Sequence, residues 1–254
     1  MTEPEMAPGM ATDPAPNGLG QIERLVDAYV APTKTFADIR RSASWWLPFL
    51  LTVVVGYIFT FAIQHEVGFE KLAETTLQNN AQIQQRTSSM TPEQVQQMNA
   101  SVATSYKVAL YASPALVLLI ALISAGVLMM SFNLGLGAQA PFSHYFAVWM
   151  YATLPLLFKS LLASITLFAG LGADQFQLEN PVGTNIGFYL GQDAPKWLST
   201  LLSSADIFTL WSVFLLVIGC AIVAKVKRGQ AAMVVVGWWV LIVLGSAAMA
   251  AIRG

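Results

Sequence analysis

The sequence predicts an all-α integral membrane protein: a bundle of five transmembrane helices with an N-terminal interfacial helix and an extracytoplasmic helical hairpin. Three observations lead there. Of the 254 residues, 56% are hydrophobic and only 11% are charged, against about a quarter charged in an ordinary soluble domain. Five apolar segments, 46–64, 108–131, 146–169, 207–224 and 230–252, reach or approach the roughly 20 residues that cross a hydrocarbon core about 30 Å thick. The last two are joined only by KVKRGQ at 225–230, a connection so short that these helices must be antiparallel neighbours.

Taken in order, residues 1–19 hold acids, prolines and glycines without a continuous apolar core. They predict a disordered cytoplasmic tail rather than a cleavable signal. In LGQIERLVDAYVAP, Leu19, Ile22, Leu25, Val26, Tyr29 and Val30 recur at helical spacing, with Glu23, Arg24 and Asp27 on the other side. This is the pattern of a helix lying on the cytoplasmic membrane surface, or of one packed on the inner loops of the bundle. Pro32 ends it, and TKTFADIRR leads to the first span, which opens with Trp45 and Trp46, residues suited to the membrane–water boundary.

Residues 65–107 are long, polar and helix-patterned. Phe69, Leu72, Thr76, Asn79 and Ile83 fall at alternating steps of three and four, as do Val95, Met98, Val102 and Ser105. Between them Thr91-Pro92-Glu93-Gln94 is a helix start, with a threonine cap, proline in the first turn and a glutamine three residues on. The expectation is an outer helical hairpin whose polar seam would be completed by a partner. The second outer segment, 170–206, carries Phe176, Leu178, Val182, Ile186, Phe188, Tyr189 and Leu190, and should fold back as a cap. Gly183, Gly187 and Gly191 would form a smooth face on a helix or mark turns beside Asn180-Pro181.

Charge sets orientation. Arg24, Lys34, Arg40, Arg41, Lys225, Lys227 and Arg228 lie on the side of the N-terminus, and Lys71, Arg86, Lys107, Lys196 and Arg253 on the other. Positive residues in short loops favour the cytoplasm, so the N-terminus is expected inside and the C-terminus outside. The overall net charge of -1 leaves no basic field for nucleic acid.

Two charged residues bear on the spans themselves. Asp206 stands where the fourth span begins, and its carboxylate can cap free N–H groups of the first turn, that of Thr209 among them. Lys159 is the one full charge well inside a span. A lysine at mid-membrane costs roughly 2.5–3.5 kcal/mol on insertion scales, so it should find a partner, face the interior or snorkel. Pro155, one turn earlier, frees backbone carbonyls that could receive the ammonium, and Asp206 is the nearest acid by depth.

Catalytic constellations are missing from the sequence. There is no H-E-x-x-H, G-x-S-x-G or Walker pattern, His65 and His144 belong to opposite sides of the membrane, and the single cysteine, Cys220, sits in an apolar run. No enzyme, cofactor or metal site is expected.

The residues Ala31, Pro32, Thr35, Phe36 and Ile39, then WWLPF (Trp45 to Phe49), Tyr151 with Pro155, and finally Asp206, Phe208, Trp211, Leu215 and Gly219 give the chain from 20 to 254 a pattern that resembles the bacterial branch of the Yip-one (Ypt-interacting protein) domain family. The resemblance implies a five-span bundle in the bacterial cytoplasmic membrane. Eukaryotic relatives bind small membrane GTPases, but their D-L-Y-G-P signature is missing here and that role does not carry over. Some bacterial relatives are associated with ABC exporters that work with periplasmic adaptors, which implies an accessory subunit without assigning a binding residue. The expected function is therefore a non-catalytic membrane scaffold or assembly subunit, with the lipid bilayer and a membrane protein as partners. Lys159, Asp206, Trp211 and Pro155 are its candidate structural or partner-contact residues. A transporter or channel for a small solute or lipid is the alternative, recognisable by a continuous polar cavity lined by Lys159, Asn133 and Thr153.

Overall fold

The computed structural model describes residues 18–78, 81–173, 176–191 and 194–253, and every regular element among them is helical. Five stretches are long and apolar enough to cross a membrane: Trp46–Val67, Ser113–Leu136, Phe142–Phe168, Ile207–Ala224 and Arg228–Ile252. All but two residues of the expected tail lie outside the described residues.

The chain starts with two short helices, α1 (Gln21–Val30) and α2 (Pro32–Ile39). Gly20 N–H donates to Glu23 Oε2 at 3.3 Å at the start of α1, and Pro32 opens α2, where its missing N–H costs nothing. The expected polar side of α1 is divided differently in the fold. Arg24 turns inward, donating from Nε to Asp38 Oδ2 and from Nη1 to Ser42 O at 2.9 Å, while Thr35 Oγ1 donates to the Arg24 carbonyl at 2.8 Å. Asp38 also receives Arg41 Nε at 3.0 Å. With Arg24, Ala28 and Tyr29 turned to the bundle, Ile22, Val26 and Val30 are left exposed. This pair packs on spanning helices, and Arg24 and Gln21 also bond to Ser42 and Ser44 in the segment leading to the first span.

The first span is α3 (Trp46–Ala62), prolonged by a π-helical turn at Ile63–Val67. Gly68, at φ 82, breaks it. The expected hairpin follows as α4 (Phe69–Gln78), α5 (Ala81–Thr87) and α6 (Pro92–Tyr111). Thr91 and Gln94 form the expected reciprocal cap, with Thr91 N–H donating to Gln94 Oε1 at 3.0 Å and Gln94 N–H to Thr91 Oγ1 at 3.4 Å. The seam between α4 and α6 buries Phe69, Leu72, Ala73 and Ala103, and the Tyr106 hydroxyl donates to Thr76 Oγ1 at 3.2 Å. Ser105, expected in that seam, is exposed and bonds back to Ser101 O, because the larger Tyr106 takes the inward position. Asn79 lies outside the described residues.

The second span, α7 (Ser113–Leu136), begins and ends later than the sequence suggests. Residues 108–111 belong to α6, and Pro114 sits in the first turn of a new helix. At the other end the polar Ser131 and Asn133 bond to Val127 O and Ala140 O, so they do not terminate the helix. Gly137, at φ 69, does.

The third span is two helices, α8 (Phe142–Ala152) and α9 (Pro155–Phe168). Pro155 cannot donate to Tyr151 O, which accepts Leu154 N–H at 3.3 Å instead. The Thr153 hydroxyl donates to Trp149 O at 3.0 Å. After the cap come α10 (Lys196–Ser204), α11 (Ile207–Ala224) and α12 (Arg228–Arg253).

The main core forms where α2, α8 and α11 meet. A Cβ at Gly219 would lie 2.5 Å from Val148 Cγ1 and 3.1 Å from the Phe36 ring, so only glycine admits this approach. Arg40, Arg41 and the 225–227 turn mark one end of the bundle, called here the basic end; the α4–α6 hairpin marks the other.

Candidate functional site

At about 1.5 Å per residue, α11 is about 27 Å long whereas the stretch from Phe142 to Phe168 is about 40 Å. The N-terminus of α11 therefore starts below the hairpin end of α9, level with Lys159. The space above it is filled by the cap, whose Phe176 and Val182 are buried.

Asp206 occupies that recess. Its Oδ1 accepts the Phe208 and Thr209 N–H groups at 3.0 and 3.3 Å, which makes it the N-cap of α11. Its Oδ2 accepts Lys159 Nζ at 3.1 Å, the Thr184 hydroxyl and Asn185 Nδ2 at 3.5 Å. Capping and ion pairing, alternatives at the level of the sequence, are both made by the same side chain, one oxygen each. Asp206 is 1% exposed and Lys159 20%, so the carboxylate is enclosed while the lysine stem keeps some freedom.

The cap is stitched to this carboxylate. Ile207 N–H donates to Thr184 O at 3.2 Å. Asn180 and Asn185 exchange amide hydrogen bonds at 2.7 and 3.3 Å, and Asn180 reaches Ser203 Oγ at 3.2 Å. Asn185 Oδ1 also caps the 3-10 turn Ile186–Tyr189 through Phe188 N–H. Gly183, Gly187 and Gly191 lie in this irregular segment and share no helix face. A Cβ at Gly187 would come within 2.8 Å of backbone atoms of Ser199 and Ser203, so glycine lets the turn lie against α10. Thr184, Asn180 and Asn185 were not legible as site residues, since nothing in their spacing ties them to Asp206. The buried Arg24–Asp38 pair was equally hidden, because a charge on an amphipathic helix reads as its solvated face.

The other expected residues take structural places. Pro155 makes the break between α8 and α9, but the carbonyls near it do not receive Lys159; the acid does, since a carboxylate offers the ammonium a full counter-charge. Trp211 stacks on Phe158 at 6.2 Å and meets the edge of Tyr29 at 5.6 Å, inside the packing of the bundle. With five donors on its two oxygens, Asp206 has no spare basic site, and Lys159 is held as a counter-ion. Among the described residues no three His, Cys, Asp or Glu side chains come together.

Two hollows among the described residues can be outlined. A crevice of about 190 Å³ lies between α3, the α6–α7 junction and α9, lined by Thr52, Gly56, Phe59, Leu110, Pro114 and Leu157 among others. Thr52 and Thr60 beside it donate to their own helix at Pro48 O and Gly56 O. Lys159, Asn133 and Thr153 do not line it: Asn133 is bonded to Ala140 O and the Tyr145 hydroxyl, and Thr153 to its own helix. A wider groove of about 590 Å³ crosses the α4–α6 hairpin, lined by Leu77, Met90, Val95, Met98 and Asn99 among others, with Asn99 Oδ1 buried and unpaired.

An all-α bundle with five helices long and apolar enough to cross a membrane, its one mid-span lysine paired with Asp206, defines a multi-pass membrane protein. Residues 26–249 match the Yip1 domain, and the chain belongs to the Yip1 domain family. No curated protein sequence and no solved structure matches it significantly.

Proposed function

We propose that the protein is a non-catalytic scaffold or accessory subunit of a membrane complex, an ABC-type exporter with its periplasmic adaptor being the candidate that the family resemblance suggests. In this reading it resides in the bacterial cytoplasmic membrane, with the N-terminus and basic end in the cytoplasm and the C-terminus and hairpin outside. One observation carries the reading: Lys159, Asn133 and Thr153, the polar side chains a transport route would use, are each engaged at separate places rather than lining a shared cavity. Recognition then falls to exposed surface, and the hairpin groove with its unpaired Asn99 is where a partner would complete a weak seam. A photo-crosslinking residue at Val95 in native membranes tests this. A membrane protein captured in fixed ratio, and lost on adding Met98→Asp in the same groove, is the expected result. No capture where other membrane complexes survive, or solute flux through the purified protein in liposomes, overturns it.

A further inference from the structure

The path of α1 and α2 places them at a definite depth. The Tyr29 ring lies 5.3 Å from Phe158 and 5.6 Å from Trp211, and both partners belong to spanning helices. Phe158 is about 24 Å from the Phe142 end of its span and about 15 Å from the Phe168 end. A hydrocarbon slab about 30 Å thick, wherever it sits along that span, leaves Phe158 at least about 5 Å below the nearer boundary. Tyr29 therefore contacts α9 and α11 at a level occupied by acyl chains. Further along, Phe36 packs into the notch at Gly219 of α11, and Gln21 meets Ser44 near the start of the first span. The two helices run up and back along the bundle, with their turn at Ala31.

We infer that α1 and α2 form a re-entrant hairpin that enters the leaflet at the basic end, turns within the hydrocarbon, and presents Ile22, Val26 and Val30 as a contact surface for lipid acyl chains. These three side chains are 52–76% exposed along one side of α1. Phe158, Leu210 and Phe214 on α9 and α11, the helices on which Tyr29 packs, are exposed apolar side chains as well. The charges of the hairpin divide on this point: Glu23 and Asp27 of α1 have no counter-ion among the described residues, whereas its cations are accommodated. Arg24 is paired with Asp38 and shielded by the bundle, as an intramembrane cation must be. Exposed Lys34 has a stem long enough to carry its ammonium back towards the headgroups, and Arg40 and Arg41 stand at the entrance.

A helix lying flat on the membrane would hold positions 22, 26 and 30 at one depth; a re-entrant one graduates them. Nitroxide labels at Ile22→Cys, Val26→Cys and Val30→Cys, in a Cys220→Ala background of the full chain in liposomes, separate the two. Collision with dissolved oxygen relative to a water-soluble nickel chelate is expected to rise several-fold from position 22 to position 30. Equal ratios at the three sites, free access of nickel to position 30, or shielding of all three from both reagents overturn the inference, the last because protein rather than lipid then covers the stripe. Should the background variant misfold, a photo-reactive residue at position 30 of the otherwise unaltered chain gives the same answer. Adducts of phospholipid mass support insertion, and adducts with water or peptide refute it.

Discussion

The Lys159–Asp206 pair makes an asymmetric prediction that a double-mutant cycle can test. Asp206→Ala removes the N-cap of α11, costing about 1 kcal/mol, and strips Lys159 of its counter-ion. Breaking a buried pair from one side costs about 3–5 kcal/mol, and the lower figure applies because the partly exposed ammonium can still reach outward. The total is about 4 kcal/mol. Lys159→Leu removes one donor of the five and leaves Asp206 held by Thr184, Asn185 and two N–H groups. The lost charged hydrogen bond, about 1.5–3 kcal/mol, is largely offset by the roughly 2.5–3.5 kcal/mol that a membrane lysine costs, so the net change should stay below about 1 kcal/mol. In the double variant no ammonium is stranded, and stability should recover by about 2 kcal/mol relative to Asp206→Ala alone. The protein carries its own reporter, since its one cysteine, Cys220, is buried and reacts with a fluorogenic maleimide only on unfolding. At about 2–4 °C per kcal/mol for a chain of this size, Asp206→Ala should melt about 8–16 °C lower and Lys159→Leu within about 4 °C of the parent. Adding Lys159→Leu to Asp206→Ala should restore about 4–8 °C. A double variant that melts at or below Asp206→Ala refutes the reasoning, because the stranded charge would not then be the main cost.

Three further outcomes follow from the geometry. Arg24 and Arg41 share Asp38 but differ in exposure, 1% against 56%. Arg24→Ala should therefore lower stability by about 3 kcal/mol and Arg41→Ala by less than about 1 kcal/mol in the same thiol-reactivity melt. Gly219→Ala places a methyl against Val148 and Phe36 and should cost about 1–3 kcal/mol; a variant as stable as the parent would mean that α2 does not pack this closely on α11. Thr91→Ala removes the cap of α6, about 1 kcal/mol, and hydrogen exchange should quicken about fivefold in its first turn while the spans keep their protection.

Elements set by local pattern were legible in the sequence. Apolar length marked the five spans, and the capping box at Thr91 marked the return helix of the α4–α6 hairpin, because a cap is made by residues three apart in the chain. Asp206 as a helix start was legible for the same reason. Boundaries were less so: Leu110 and Tyr111 are apolar enough to read as membrane span, and only their packing on the first span and α4 assigns them to the hairpin.

What the sequence by itself determined is the solvent of this protein, since an 11% share of charged residues and apolar runs of spanning length leave a lipid bilayer as the medium in which its peptide groups must satisfy one another. Only the tertiary structure decided which polar groups do so across long separations. The Asp206 carboxylate joins Lys159 and Thr184, and Arg24 turns from the apparent polar face of α1 to Asp38. Helical periodicity reports which residues share a face, but not which face meets a neighbour. That is settled by how closely α2 and α11 can approach at Gly219 and by the recess that a short α11 leaves beneath the cap.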